Sequence, residues 1–183
     1  MALPKYNIVN CVHFITINTY KRIRLFKNEK NCQIIVNNLN FYRSKYGYKL
    51  IAYVVMPDHL HLLLLLNKKC NNISKVIQDF KSHSAKEIVY TNVKGGRKSL
   101  LSPYFDASKG SHLPKDYKWV HRGKEHTPIK NKIWQKSFYD FNIYSEHKLE
   151  QKLNYIHQNP VKAGFCKEPG QWVYSSYKGY VSK

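Results

Sequence analysis

The first part of the chain alternates between the hydrophobic patterns of strands and helices. Residues 12–17 are β-branched and aromatic, and the stretch 18–24 after them is polar and basic, which predicts a strand and then a turn. Within residues 31–46, apolar side chains recur every three or four positions, and Gly47 follows. That spacing predicts an amphipathic helix that ends at a glycine.

Two further apolar stretches, residues 49–56 and 59–66, are separated only by a Pro-Asp pair. A two-residue break between strands predicts a hairpin. The runs 51–55 and 62–66 within them are apolar at every position. Because such runs are typical of strands buried on both faces, we expect both to be central strands of the sheet.

The remaining elements are less regular. Residues 73–90 predict a second helix, residues 137–144 a fourth strand, and Ser145 the N-cap of a third helix that must end near Pro160. Between them, residues 94–136 hold 11 Lys and Arg against 3 Asp and Glu, with little periodicity. That composition is typical of a long basic loop or insertion.

The predicted order is β-α-β-β-α-insertion-β-α. It indicates an α+β fold of the ferredoxin-like, split βαβ type, with helices packed on a central, mostly antiparallel sheet. The length favours one domain over residues 1–183, with the basic insertion at about 95–130.

The net charge of the chain indicates which class of molecule it binds. The chain has 31 Lys and Arg against 11 Asp and Glu, for a formal net charge of +20, yet 43% of its residues are hydrophobic. A disordered basic tail is therefore excluded, and a folded body with this field attracts polyanions, nucleic acid before an anionic membrane. The 14% aromatic content favours a nucleic acid with unpaired bases as the partner, because such bases stack on aromatic rings. The alternative is that most rings lie in the core and most lysines only solvate the surface. The sequence shows no signal peptide and no membrane-spanning run, and its four cysteines have no paired short spacing. We therefore expect a cytoplasmic protein.

Two histidines, His59 and His61, open the third predicted strand. Alternate residues of a strand share one face about 6.6 Å apart, so both imidazoles can converge on one metal ion. Two unrelated histidines at a hairpin mouth are the alternative, but unpaired imidazoles would be costly in so apolar a sheet. The neighbouring Asp58 could orient a histidine or simply form the turn.

The histidines lie within a longer pattern. Residues 54–64, Val-Val-Met-Pro-Asp-His-Leu-His-Leu-Leu-Leu, resemble the HUH motif of single-tyrosine transposases, in which a large apolar residue separates two histidines. Residues 134–140, 155–164 and 172–177 are similar, in order and spacing, to the C-terminal half of REP-associated tyrosine transposases. The chain thus resembles the insertion-sequence-200-like family over most of its length outside 95–130. The resemblance implies an HUH transposase fold and an enzyme that cuts and rejoins single-stranded DNA.

The resemblance also implies a set of site residues. Tyr155 would be the nucleophile, forming a 5′-phosphotyrosine and leaving a free 3′-OH, while His59, His61 and Asn159 would hold Mg²⁺ or Mn²⁺. Tyr155 and Asn159 are four residues apart and so neighbours on one helix face, which must meet the histidine strand for the site to form. A tyrosine packed in the core is the alternative for Tyr155.

By the same resemblance, the partner would be single-stranded DNA with a hairpin beside the cut, in the nucleoid of a bacterium, with no membrane and with a homodimer left open. Basic side chains expected to contact its phosphates are Lys21, Arg22, Arg24, Arg97, Lys98, Lys118, Arg122 and Lys124. Two other functions stay open: a non-catalytic single-stranded nucleic-acid-binding protein, as a domesticated transposase relative, and a metal-dependent hydrolase that uses water. The intact histidines, tyrosine and asparagine favour the transposase.

Overall fold

Strands and helices alternate as the hydrophobic pattern predicts. The structure, a computed structural model, describes residues 11–68, 70, 72–93 and 132–181. The elements in chain order are β1 (Val12–Asn18), α1 (Glu29–Tyr46), β2 (Lys49–Met56), β3 (His59–Leu65), α2 (Ile73–Val93), β4 (Tyr139–Ile143), α3 (Glu146–Lys162) and α4 (Lys178–Val181).

The four strands form one antiparallel sheet in the order β2-β3-β1-β4. Strand β3 lies between β2 and β1, which places Thr16 of β1 and Val54 of β2 on either side of His61. This order, with helices packed on the sheet, confirms the α+β fold of the split βαβ type.

Local sequence accounts for the helix ends. Helix α1 ends at Gly47, whose φ of +69° lies in the left-handed region. A Cβ at that position would come within 2.9 Å of the Asn67 side chain, so glycine fits on both counts. At the start of α3 the side chain of Ser145 accepts a hydrogen bond from the backbone N–H of Lys148, which confirms the predicted N-cap, and Pro160 lies in the last turn.

The core has two layers, one on each face of the sheet. The face toward α1 and α2 buries Ile15, Ile17, Leu60, Leu62 and Leu64. The opposite face, toward α3, buries a smaller cluster with Phe14, Val54, Met56, Leu63 and Ile156. Because successive residues of a strand point to opposite faces, β3 contributes to both layers, which explains its continuous apolar run.

One prediction about the sheet was wrong. Strand β3 is central, but β2 lies at the edge of the four-stranded sheet. Its apolar character has another cause: Val55 donates its N–H to the carbonyl of Tyr174 at 2.9 Å, and Ser176 donates to the carbonyl of Tyr53 at 3.0 Å. A later piece of chain therefore covers this edge as a strand would.

We call residues 172–180 the C-terminal strap. The indole of Trp172 donates to the carbonyl of Val55 at 3.0 Å, and the hydroxyl of Tyr180 donates to that of Ile51 at 2.5 Å. The strap also contacts α3, where the imidazole Nε2 of His157 lies 3.0 Å from the Ser176 hydroxyl. It thereby ties α3 to the edge of the sheet.

The basic insertion expected at about 95–130 lies outside the described residues. Among the helices that the structure does describe, none combines the length and the apolar character needed to cross a bilayer.

Candidate active site

The two histidines meet at the start of β3. Their Nε2 atoms lie 3.1 Å apart, and the ring centroids are separated by 4.7 Å. Residues at i and i+2 of a strand share a face, so the local geometry predicted from the sequence is the geometry observed. His61 is buried, whereas His59 is partly exposed at the end of the strand.

Each histidine has an oxygen partner on its other nitrogen. The Nδ1 of His59 lies 2.6 Å from the Asp58 carboxylate, and the Nδ1 of His61 lies 2.9 Å from the Thr16 hydroxyl. A carboxylate can only accept, so the proton of neutral His59 is on Nδ1 and its Nε2 carries a lone pair. A hydroxyl can donate or accept, which lets neutral His61 place its proton on either nitrogen without losing Thr16.

Burial keeps this pair neutral. It lowers the pKa of His61 to about 3, and repulsion from His59, when that ring is protonated, acts in the same direction. It also lowers the pKa of His59, although the Asp58 carboxylate opposes that shift. Neutral imidazole is the form that binds metal ions, so the pair is ready to ligate near neutral pH.

Helix α3 brings Tyr155 to the same place. Its ring centroid lies 5.2 Å from that of His61 and 5.8 Å from that of Phe14, edge-on in both cases. Tyr155 keeps 39% of its surface exposed, so it is not a core tyrosine. The tyrosine and the histidines belong to one chain, and the predicted meeting of helix face and histidine strand is formed within it.

The histidine pair alone is an incomplete donor set for a metal ion. Among the described residues, no three His, Cys, Asp or Glu are grouped to hold a metal. A third protein ligand would therefore have to be of another type, such as the amide oxygen of Asn159. Asn159 is half-buried one turn beyond Tyr155, and in the described part of the chain its side chain makes no hydrogen bond to His59 or His61. Two imidazoles with fixed partners and converging Nε2 atoms can nevertheless ligate a divalent metal ion when a further donor completes the set.

The basic residues that follow β1 differ in their exposure and in their contacts. Lys21 and Arg24 are exposed, and the Lys21 ammonium lies 5.7 Å from the Tyr20 ring centroid. Arg22, also expected to bind phosphate, has its Nε 3.1 Å from Asp58, so it supports the carboxylate that orients His59. The other predicted phosphate contacts lie outside the described residues: Arg97, Lys98, Lys118, Arg122 and Lys124.

Lys21 and Arg22 are also the non-glycine residues of the described chain with positive φ, at +53° and +58°. Such a conformation costs free energy for residues with a Cβ, and it tends to persist where the surroundings hold it for function. Here the turn delivers the Arg22 side chain to the mouth of the histidine pair.

Sequence reasoning missed two residues of this site. Thr16 precedes the histidines by more than 40 positions, and only the pairing of β1 with β3 places it opposite His61. Lys152 lies one turn before Tyr155, and its ammonium is 4.4 Å from the Phe14 ring centroid. For Lys152 the spacing of three from Tyr155 was an available signal, because residues three apart share a helix face.

Comparisons with known proteins found a matching family profile and a similar curated protein. The family profile described as "Transposase IS200 like" matches residues 7–109, more than half of the chain, a span that contains both histidines and ends before Tyr155. A Haemophilus influenzae protein described as a REP-associated tyrosine transposase is 25% identical over 132 residues, which are 72% of this chain. The match spans 60% of that relative's length.

A solved structure, that of a REP-associated tyrosine transposase bound to a REP hairpin, has the same fold. It superposes with a TM-score of 0.68 at 19% identity, covering 100% of this chain and 86% of the other. At that level of identity the likeness concerns the arrangement of strands and helices.

Proposed function

The chain belongs to the IS200-like transposase family, and from that premise we propose that it is a metal-dependent single-tyrosine HUH endonuclease and transposase. It cleaves and rejoins single-stranded DNA next to hairpins through a 5′-phosphotyrosine. The REP hairpin bound in the structurally similar transposase supports DNA of this kind as the partner.

One observation carries the proposal above all. Tyr155 lies on the histidine pair, 5.2 Å between ring centroids, while 39% of its surface remains open to solvent. A nucleophile must be reachable by substrate and close to the groups that activate the phosphate, and this tyrosine meets both conditions.

The covalent step follows from that placement. The Oη of Tyr155 attacks a DNA phosphorus, an Oη–P bond forms, and the bond from phosphorus to the 3′ oxygen breaks. The phenolic proton passes to water, and the departing 3′ oxygen takes a proton from water. Attack by another 3′-OH on the phosphotyrosine reverses these bond changes and rejoins strands without ATP, since the phosphodiester energy is kept.

The chain's own residues prepare the site for a metal. His59, His61 and Asn159 would hold Mg²⁺ or Mn²⁺, which supplies Lewis-acid polarisation of the phosphate when bound. Asp58 and Thr16 fix the two rings through their Nδ1 atoms. Phe14 packs against His61 and Tyr155 and keeps water from that side of the pair.

The test is covalent capture. The protein is incubated with Mn²⁺ or Mg²⁺ and labelled single-stranded hairpin DNA from its own genomic neighbourhood, and denaturing gels reveal protein bound to DNA. We expect an adduct that is absent in Tyr155→Phe, because phenylalanine has no oxygen to join to phosphorus, and absent when EDTA removes the metal.

Tyr139→Phe is the matched control. Tyr139 has a similar exposure of 41%, and its ring lies 6.4 Å from that of Phe14, but it is not on the histidines. Its variant should form the adduct at the wild-type rate. Cleavage that survives Tyr155→Phe would establish a hydrolase that uses water, and binding with neither adduct nor cleavage would establish a non-catalytic binding protein.

The assembly follows in part from the same placement. His61 and Tyr155 of one chain already meet, which supports catalysis within a single chain, and the homodimer stays open. DNA as substrate places the proposed activity at the bacterial nucleoid.

A further inference from the structure

The ammonium of Lys152 lies over aromatic rings beside the proposed nucleophile. Its ammonium is 4.4 Å from the ring centroid of Phe14, 5.5 Å from that of Tyr155 and 5.6 Å from that of Phe141. A cation over ring faces is attracted by their quadrupoles, typically by about 0.5–2 kcal/mol. The charge is therefore held against the ring of Phe14, which also packs on His61 and Tyr155.

No carboxylate neutralises this charge among the described residues. Lys75, by contrast, forms an ion pair with Asp79 at 2.8 Å. Burial and the neighbouring ammonium of Lys148 both lower the pKa of Lys152, so its position is electrostatically unfavourable in the free protein. Such a position becomes favourable when an anion from outside joins it.

The surroundings admit such an anion. A cleft of about 530 Å³ runs along α3 and has Lys152 and Tyr155 in its wall, together with Gln158 and Lys162. Its lining is polar and holds two lysines, which can contact a phosphate backbone, together with one carboxylate, Glu150. Because Lys152 and Tyr155 both line this cleft, an anion bound in it would lie close to both side chains.

We infer that Lys152 contacts the scissile phosphate and neutralises the charge that builds on its oxygens as Tyr155 attacks. The inference rests on the proposed function, because it concerns the same phosphate. As the Oη–P bond forms and the bond to the 3′ oxygen breaks, negative charge accumulates on the non-bridging oxygens, and a fixed cation stabilises it without reorganisation. Lys152 would thus be a catalytic residue that the histidine and tyrosine motifs do not include.

The test compares Lys152→Met, Lys152→Arg and the control Lys148→Met in single-turnover adduct formation. Methionine keeps an apolar stem on Phe14, arginine keeps the charge, and the control removes one charge from the same helix one turn away. At saturating hairpin DNA, we expect Lys152→Met to slow adduct formation on the order of 10²-fold, as loss of one transition-state donor does. Lys152→Arg should recover most of the rate, and Lys148→Met should keep it.

A second substrate distinguishes the effect of the lost charge in Lys152→Met from the effect of a lost fold. After the cut is mapped, its phosphate is replaced by an uncharged methylphosphonate. The difference in rate between wild type and Lys152→Met should then shrink, because the methyl group replaces one of the two charged oxygens and less negative charge remains for the ammonium to neutralise. A variant that had merely lost its fold would stay slow on both substrates.

Three outcomes decide the matter. A rate for Lys152→Met equal to that of Lys148→Met, with only weaker DNA binding in both, would overturn the catalytic role. So would a rate defect that persists unchanged on the methylphosphonate. Absence of any adduct with wild-type protein would overturn the proposed function itself, and with it this role, whereas a wild-type adduct beside an unaffected Lys152→Met overturns the role alone.

Discussion

The hydroxyl of Thr16 fixes the ring of His61 from the neighbouring strand, 2.9 Å from its Nδ1. His61 is otherwise surrounded by rings, with Phe14 stacked at 5.5 Å and Tyr155 edge-on. Ring contacts do not distinguish the two nitrogens of an imidazole, so the hydrogen bond with Thr16 determines which nitrogen of His61 faces His59. Residues that orient a ligand in this way commonly change metal affinity when they are lost.

We therefore expect Thr16→Val to weaken Mn²⁺ binding by roughly 10- to 100-fold, because valine has the shape of threonine without its hydroxyl. Calorimetric titration of the variants with Mn²⁺ measures this directly. Thr16→Ser keeps the hydroxyl and should bind Mn²⁺ nearly as wild type does. Equal affinities for the valine and serine variants would contradict the orienting role.

At the scale of elements, the C-terminal strap joins α3 to the edge of the sheet. It bonds to the edge of β2 through backbone groups and to α3 through the contact of His157 with Ser176. The rings of Tyr177 and Tyr180 enclose that imidazole, at 5.3 and 5.2 Å between centroids. Because Tyr155 is two residues from His157, an intact strap holds the nucleophile on the histidines.

This arrangement predicts a pH dependence. Burial lowers the pKa of His157 below its usual 6.5, so the attached strap disfavours the protonated ring. Attachment is then fully stable above about pH 6.5 and weakens as the pH falls from there toward the lowered pKa, since the His157 imidazole on α3 takes up the proton only when the strap is detached. Hydrogen exchange in residues 172–180 should accelerate between pH 7.5 and 5, after correction for intrinsic rates.

His157→Gln is the control for that experiment, because glutamine can donate a hydrogen bond but does not titrate in this range. Its corrected exchange in the strap should change little between the two pH values. Acceleration of the same size in wild type and variant would assign the effect to other groups.

At the scale of the whole molecule, a charge of +20 is far more than solubility requires of a small domain, roughly 2 to 8. Lys21 and Arg24 are exposed near the end of β1, which leads toward the histidines. A positive field attracts DNA, and the contribution of this field to affinity depends on the counterions that binding releases.

Hairpin DNA affinity should accordingly fall by about 10³-fold or more between 50 and 200 mM salt. Lys21→Met and Arg24→Met should each reduce the slope of log affinity against log salt by about one. Lys75→Met, which removes a lysine already paired with Asp79, should leave the slope unchanged. Fluorescence anisotropy over a salt series gives all of these values, and a fall of less than tenfold in wild type would limit the charge to solubility.

The sequence by itself determined the elements and the local half of the site. Hydrophobic periods are local, so β3, α1 and the N-cap at Ser145 were predictable to within a few residues. The pairing of His59 with His61 was predictable too, because the period of a strand fixes which side chains share a face.

Only the tertiary structure decided what lies across from those residues. The order of strands put β2 at an edge, paired Thr16 with His61 and turned Arg22 toward Asp58. Packing of α3 then placed Lys152 and Tyr155 on Phe14. These contacts join residues distant in sequence, and no local period specifies them, because they depend on the free energy of burying whole faces together.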